Sequence, residues 1–172
     1  MSSETKEDNV FQNNISANEI QNYDLCWFKG RIVMVDNMTV FKSIMPGLFK
    51  EKYLGFDTET KPSFRKGHKN KISLIQFATS DTAYLFRINR IGFPDDFARL
   101  FADAGILKIG VAVRDDIRYL KALSKFSTEG FIDLQSYVKD FGIESSGLKK
   151  LTAIVLGFRI SKRQQVSDWE AR

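Results

Sequence analysis

The feature that most constrains the fold is the order of the apolar segments, which alternate between strand length and helical length from residue 31 onward. Apolar residues three and four positions apart indicate helices, and short β-branched or aromatic runs indicate strands. Strands are predicted at residues 31–36, 53–59, 72–79, 82–88 and 107–113. Helices are predicted from Asn37 or Thr39 to about Lys52, and at residues 94–104, 114–123, 132–141 and 147–156. Pro46 lies inside the first of these helices and is expected to kink or shorten it.

This order of segments predicts an α/β fold, with a mixed β-sheet flanked by α-helices. The Ser80-Asp81 link is short enough for a hairpin, so strands 72–79 and 82–88 are expected to pair antiparallel. Predicted helices separate strand 31–36 from strand 53–59 and strand 82–88 from strand 107–113, an arrangement typical of parallel pairing, whereas a charged loop at 61–70 joins strands 53–59 and 72–79.

The length of 172 residues favours about one domain. Residues 1–22 are polar and Asn-rich without a steady apolar period, so they are predicted to be a mobile tail that precedes a domain at 23–172. Residues 1–24 carry five acids and one base, a net charge of −4, and the total is +5, so the rest carries +9. A basic body favours an anionic partner, most often nucleic acid, although a solvated surface with excess lysine gives the same total.

Several function classes are excluded by residue counts. The single cysteine, Cys26, rules out an internal disulfide and a multi-cysteine zinc site, and the single histidine, His68, rules out zinc sites built on two histidines. No apolar run approaches the ~20 residues of a membrane span, and the first residues lack a secretory signal pattern. We therefore expect no membrane partner and a reducing, cytoplasmic location.

Two carboxylates end the predicted strand 53–59. Successive side chains of a strand point to opposite faces, so Asp57 and Glu59 share a face. Like charges at the end of a buried strand are costly unless a cation or several donors compensate, and hard divalent ions such as Mg²⁺ or Mn²⁺ bind carboxylate oxygens. A solvated strand end is the simpler explanation of this pair taken alone.

A second acidic pair, Asp115 and Asp116, follows the predicted strand 107–113 at its junction with a helix. Active sites of α/β sheets gather at such strand ends. One of the two acids is equally able to cap the helix. If the two strands are neighbours, however, three carboxylates from two elements converge, which favours a metal site.

The sequence resembles the 3′–5′ exonuclease domain of ribonuclease D and the Werner helicase, in the DEDD group of the ribonuclease H-like superfamily. The resemblance runs from about residue 31 to 172 in four motifs: GFDTET at 55–60, ISLIQFAT at 72–79, GVAVRDDIRYL at 110–120, and SGLKKLTAIVLG at 146–157 with VSDW at 166–169. It implies a ribonuclease H-like fold and a nuclease that uses two Mg²⁺ or Mn²⁺ ions to remove nucleotides from a 3′ end.

The resemblance also implies roles for particular residues. Asp57 and Glu59 match the first family motif, and Asp116 matches the second-motif acid, with Asp115 as the alternative. By this resemblance Asp57 bridges both ions, Glu59 holds the ion that activates the nucleophile, and Asp116 holds the other ion. These three acids are therefore the predicted catalytic and metal-binding residues.

The last family motif is a Tyr or His a few residues before a fourth Asp, in a helix after VSDW. His68 lies upstream of Asp116, so the sequence resembles the Tyr branch, but no residue up to Arg172 matches the Tyr or the fourth Asp. We expect these 172 residues to bind ions weakly and to cleave slowly or not at all.

Nucleic-acid contacts are predicted within the first acidic motif and in two segments further along the chain. The basic segment 61–71 directly follows the acids, and a solvated loop is an equally good explanation for it. The predicted nucleic-acid-binding residues are Thr58, Thr60, Arg65, Lys66, Lys69, Lys162 and Arg163. The expected partner is single-stranded or 3′-ended nucleic acid. A catalytically inactive nucleic-acid-binding module, or a protein-interaction domain on the same scaffold, remains an alternative.

Overall fold

The computed structural model describes residues 10–60 and 72–161. These residues form two compact units. One unit comprises residues 28–60 and 72–133, and the other comprises residues 10–27 and 134–161.

The first unit is built on a mixed six-stranded sheet. Its strands are β1 Arg31–Val35, β2 Tyr53–Thr60, β3 Ile72–Ala78, β4 Thr82–Arg87, β5 Leu107–Gly110 and β6 Phe131–Asp133, in the spatial order β1-β4-β3-β2-β5-β6. β3 runs antiparallel to both of its neighbours, β2 and β4, whereas the other neighbouring pairs are parallel. The predicted hairpin and the mixed α/β sheet are therefore confirmed, and β2 and β5 are neighbours.

The helices are α1 Ala17–Gln21, α2 Met38–Leu48, α3 Ile88–Ile91, α4 Asp95–Ala102, α5 Val113–Lys121, α6 Leu134–Tyr137 and α7 Leu148–Leu156, with a 3₁₀ turn at Val138–Phe141. Asn37, rather than Thr39, caps α2, because its side chain accepts a hydrogen bond of 3.0 Å from the amide of Val40. Pro46 lies in the last turn of α2, which ends at Leu48 instead of continuing to Lys52. No helix within residues 10–60 and 72–161 is both long and apolar enough to cross a bilayer.

Phenylalanine side chains form much of the core between the sheet and its helices. Phe97 of α4 packs edge to face on Phe41 of α2, with ring centroids 5.1 Å apart, and on Phe86 of β4 at 5.2 Å. Phe56, directly before the acids of β2, packs edge to face on Phe131 of β6 at 5.3 Å. Rings in such edge-to-face contact restrain one another, so the strand that carries Asp57 is anchored on the core.

The sequence predicts a mobile tail over residues 1–22, but the described part of that segment, residues 10–22, is folded within the second unit. Ser16 and Glu19 form a capping box at the start of α1. Ile15 and Ile20 are buried with Ala153 of α7. The isolated apolar residues of this segment lack a local period because their partners lie in α7, more than a hundred positions along the chain. The segment therefore groups with residues 134–161 instead of preceding one domain that begins at residue 23.

Two element boundaries also differ from the sequence-based prediction. The strand predicted at 107–113 ends at Gly110, and α5 already begins at Val113. The helix predicted at 132–141 is replaced by β6, α6 and the 3₁₀ turn. A three-residue strand such as β6 is defined by its pairing with β5 and leaves no pattern long enough to detect locally.

Candidate active site

The acids of β2 lie at the carboxyl end of a central strand. Burial alternates along β2, so that Leu54, Phe56 and Thr58 are buried whereas Asp57 is exposed and Glu59 is half-buried. Asp57 and Glu59 therefore share the face opposite Thr58, as predicted from strand geometry. One Asp57 oxygen accepts a hydrogen bond of 3.0 Å from the amide of Thr58.

The third acid arrives from α5, which follows the neighbouring strand β5. Asp116 lies in the first turn of α5, and one of its carboxylate oxygens accepts a hydrogen bond of 2.5 Å from the hydroxyl of Thr58. The parallel pairing of β2 and β5 brings the end of β5, and with it the start of α5, beside the acids of β2. The sheet thus brings Asp116 beside the strand that carries Asp57 and Glu59, which lies far earlier in the sequence.

The structure distinguishes the two candidate acids of α5. The Asp115 side chain is 65% exposed and forms an ion pair of 2.9 Å with Arg118 on the helix surface. Asp116 is half-buried and contacts Thr58. Asp115 is therefore an exposed first-turn acid, whereas Asp116 belongs to the candidate site.

The electrostatics show that the carboxylates interact. Desolvation raises the pKa of Glu59, and the charges of Asp57 and Asp116 raise the same pKa further. Desolvation is also the main cause that raises the pKa of Asp116 to about 6, against the opposing effect of the Thr58 hydrogen bond. The pKa of Asp57 is raised by desolvation, partly offset by the Thr58 amide, although Asp57 keeps solvent access. Each acid would therefore ionise more easily beside a cation.

The donor chemistry of these acids fits a divalent ion. Asp57, Glu59 and Asp116 offer only carboxylate oxygens, the ligands that Mg²⁺ and Mn²⁺ prefer. Within the described ranges, however, no three acidic, histidine or cysteine side chains are already drawn together closely enough to form a metal centre. The site is an open cluster of suitable ligands, with one oxygen of Asp116 engaged by Thr58.

Thr58 has a role that the sequence analysis missed. It was predicted to bind nucleic acid, but its side chain is buried and its hydroxyl donates to Asp116, which better supports a role in holding that acid. The signal was present in the sequence, because strand alternation places Thr58 on the buried face, where a hydroxyl needs a partner. Thr60 is exposed at the end of β2, and its predicted contact with nucleic acid stays a prediction.

The other predicted nucleic-acid contacts lie outside the described residues. Arg65, Lys66 and Lys69 belong to segment 61–71, and Lys162 and Arg163 belong to segment 162–172. Their predicted contacts stay predictions.

A mixed sheet in this order, with carboxylates at the end of β2 and in the first turn of the helix that follows the parallel neighbour β5, places the chain among the ribonuclease H-like α/β proteins. The chain belongs to the 3′–5′ exonuclease family, whose model matches residues 32–172. The sequence-based resemblance to this family is thereby confirmed.

Individual relatives support the same assignment. The chain is 30% identical over 169 residues to an exonuclease mut-7 homolog of Aedes aegypti, a match that covers 84% of this chain and 23% of that protein. The chain thus spans less than a quarter of that relative's length. The structure of this chain is similar to that of the Aedes aegypti Nibbler EXO domain, with a TM-score of 0.69 and 27% identity. The match covers 83% of this chain and 76% of that domain. Escherichia coli RNase D shares the fold at a TM-score of 0.72 and 19% identity, over 83% of this chain and 38% of that one.

Proposed function

We propose that this chain carries a metal-dependent 3′–5′ exonuclease site that hydrolyses phosphodiester bonds at the 3′ ends of nucleic acid. The family assignment supports the reaction class. The observation that carries the proposal for this chain is that the carboxylates of β2 and α5 interact: the charge of Asp116 raises the pKa of Glu59, and the charge of Asp57 raises the pKa of Asp116. Carboxylates held close enough to oppose one another's ionisation are a costly arrangement, and a bound cation would offset that cost.

The residues that would hold two Mg²⁺ or Mn²⁺ ions are Asp57, Glu59 and Asp116. Ions bound there supply an activated water and stabilisation of the leaving 3′ oxygen. The anchored strand β2 presents Asp57 and Glu59 on one face, and α5 presents Asp116 from the side. The family motif contains a fourth Asp that these 172 residues do not supply, so we expect them alone to bind ions weakly and to cleave slowly.

The chemistry of the proposed substrate follows from charge. Phosphodiester oxygens are anionic and would bind the ions held by the three acids. The basic segments 61–71 and 162–172 are proposed to contact flanking phosphates through Arg65, Lys66, Lys69, Lys162 and Arg163. Single-stranded or frayed 3′ ends are the proposed substrates, because the scissile bond must reach carboxylates at the carboxyl end of a central strand.

The test is degradation of a 5′-labelled single-stranded DNA or RNA oligonucleotide by the 172-residue chain with Mn²⁺, Mg²⁺ or EDTA. We expect stepwise shortening from the 3′ end with Mn²⁺ or Mg²⁺, none with EDTA, and a loss of at least about a hundredfold in Asp57→Asn. Asp95→Asn is the matched control, because Asp95 is an exposed acid in the first turn of α4. Cleavage that continues in EDTA, or that Asp57→Asn leaves unchanged, would overturn the proposal.

Ion binding provides a second measurement, which does not depend on a cleavage rate. Calorimetric titration with Mn²⁺ is expected to show binding by the wild-type chain that Asp57→Asn weakens and Asp95→Asn does not. Salt-sensitive binding of single strands without ion binding or cleavage would favour the inactive nucleic-acid-binding module instead.

A further inference from the structure

The turn between β5 and α5 has an unusual backbone. Ala112 has φ 63° and ψ 31°, and it is the one non-glycine residue with positive φ within the described part of the chain. This left-handed conformation is unfavourable for a residue with a Cβ atom, so the surrounding structure must stabilise it. Ala112 immediately precedes α5, and its conformation therefore sets the direction in which α5 and Asp116 leave the sheet.

A carboxylate on the next strand holds this turn. The amide of Ala112 donates a hydrogen bond of 3.0 Å to one carboxylate oxygen of Asp133. Asp133 is the last residue of β6 and is the register partner of Gly110, the last residue of β5. The bond thus connects Ala112, the N-cap residue of α5, to β6, a strand that is itself paired with β5.

The start of α5 is also constrained from the side of β2. A Cβ atom at Gly110 would collide with the carbonyl oxygen of Phe56 and with the side chain of Val113. The chain therefore passes tightly against β2 at Gly110 and then turns at Ala112, with Asp133 as the partner of the Ala112 amide. Little freedom remains for the position of Asp116, four residues beyond Ala112.

We propose that Asp133 is a positioning residue, which holds the left-handed turn at Ala112 and thereby places Asp116 beside Thr58 and the acids of β2. The inference rests on the proposed function for its claim that Asp116 holds an ion. The claim about the turn is independent of that function. Outer residues that orient metal ligands commonly affect ion affinity ten- to a hundredfold when they are replaced.

The test measures Mn²⁺ affinity by calorimetry and amide hydrogen exchange at Ala112 in the full 172-residue chain. Asp133→Ala is expected to weaken Mn²⁺ binding about 10- to 100-fold and to accelerate exchange of the Ala112 amide. Asp133→Asn keeps an acceptor oxygen in place and is expected to retain most of both properties. Adding Ala112→Gly to Asp133→Ala is expected to recover part of the affinity, because glycine adopts positive φ without steric cost.

Asp103→Ala is the matched control. Asp103 also accepts a backbone hydrogen bond, of 2.8 Å from the Gly105 amide, but it lies before β5, at the opposite end of that strand. We expect this variant to leave Mn²⁺ affinity and Ala112 exchange unchanged. If Asp133→Ala does not fold, Asp133→Glu replaces it, since the longer side chain keeps the charge and displaces the acceptor, with the same losses expected.

The outcomes separate this inference from the proposed function. Unchanged Ala112 exchange in Asp133→Ala, or an equal loss of affinity in Asp103→Ala, would overturn the positioning role. Fast exchange with unchanged Mn²⁺ affinity would also overturn it and leave the proposed function standing. A wild-type chain that binds no Mn²⁺ would contradict the proposed function, and the inference that Asp133 places Asp116 as an ion ligand would be overturned with it.

Discussion

The hydroxyl of Thr58 donates a hydrogen bond of 2.5 Å to Asp116, a residue 58 positions further along the chain. This bond connects the strand of the first acidic motif to the helix of the second. It lies on the buried face of β2, whereas Asp57 and Glu59 lie on the other face. The site is therefore a group of acids around the end of one strand, with Thr58 as the contact between its two sides.

Replacing Thr58 tests this connection. Thr58→Val removes the donor from a partly buried carboxylate, so we expect the pKa of Asp116 to rise further and Mn²⁺ affinity to fall. Thr58→Ser keeps the hydroxyl and is expected to preserve both properties. Carboxyl ¹³C titration by NMR measures the pKa. An Asp116 pKa that is the same in the valine and serine variants would contradict the role of this bond.

The raised carboxyl pKa values predict how stability depends on pH. Asp116 has a pKa near 6 in the folded chain, and burial and neighbouring charge also raise the pKa of Glu59. The folded state therefore binds more protons than the unfolded state between about pH 4 and 6. The stability that protonation provides is complete below about pH 4, and it is lost as the pH rises through 6.

Divalent ions should restore that lost stability, because they bind the ionised form of the acids. We expect Mn²⁺ to raise the melting temperature more at pH 7.5 than at pH 5. Thermal unfolding with and without Mn²⁺ at both pH values measures the difference. Asp57→Asn should reduce it, and an equal shift at the two pH values would contradict the prediction.

Lys108 gives a separate pH prediction at the other end of β5. Its side chain is fully buried, its ammonium donates to the carbonyls of Asp103 and Ile106 at 2.7 Å each, and burial lowers its pKa to about 8. The folded state thus releases its proton at a lower pH than the unfolded state. Between about pH 8 and 10 the unfolded chain binds more protons, so this residue makes stability rise with pH.

Urea unfolding at pH 7.5 and 9.5 measures this contribution. Lys108→Met is expected to remove the rise with pH and to destabilise the fold at both values, because two buried carbonyls lose their donor. Lys50→Met, at an exposed lysine, is the control and should leave the rise in place. If the stability of the wild-type chain does not increase between pH 7.5 and 9.5 relative to that of Lys108→Met, the assignment of this pH dependence to Lys108 is wrong.

Gly110→Ala tests the close approach of β5 to β2. The added methyl group would collide with the carbonyl oxygen of Phe56, so we expect destabilisation of about 1–3 kcal/mol together with weaker Mn²⁺ binding. Gly47→Ala is the matched control, because a Cβ atom there meets nothing within 4 Å inside helix α2. That variant should stabilise the chain by about 0.5–1 kcal/mol. Chemical denaturation of both variants measures the free energy of unfolding, which should fall in Gly110→Ala and rise in Gly47→Ala.

Much of the architecture follows from local sequence patterns. Apolar spacing, together with cap and turn residues, is sufficient within a few positions to predict strands β1 to β4, the hairpin and helices α2, α4 and α7. The shared face of Asp57 and Glu59 also follows from strand alternation alone. These features follow from the backbone geometry of each segment alone and need no partner from elsewhere in the chain.

The tertiary structure decided what depends on partners distant in sequence. Asp115 and Asp116 are adjacent acids in one helix turn, and only the position of β2 shows that Asp116 meets Thr58. Likewise, β6 exists because β5 pairs with it, and Ile15 is buried because α7 packs on its segment. Local sequence specifies periodicity and the type of side chain, whereas the burial and pKa of a side chain depend on neighbours that only chain folding supplies.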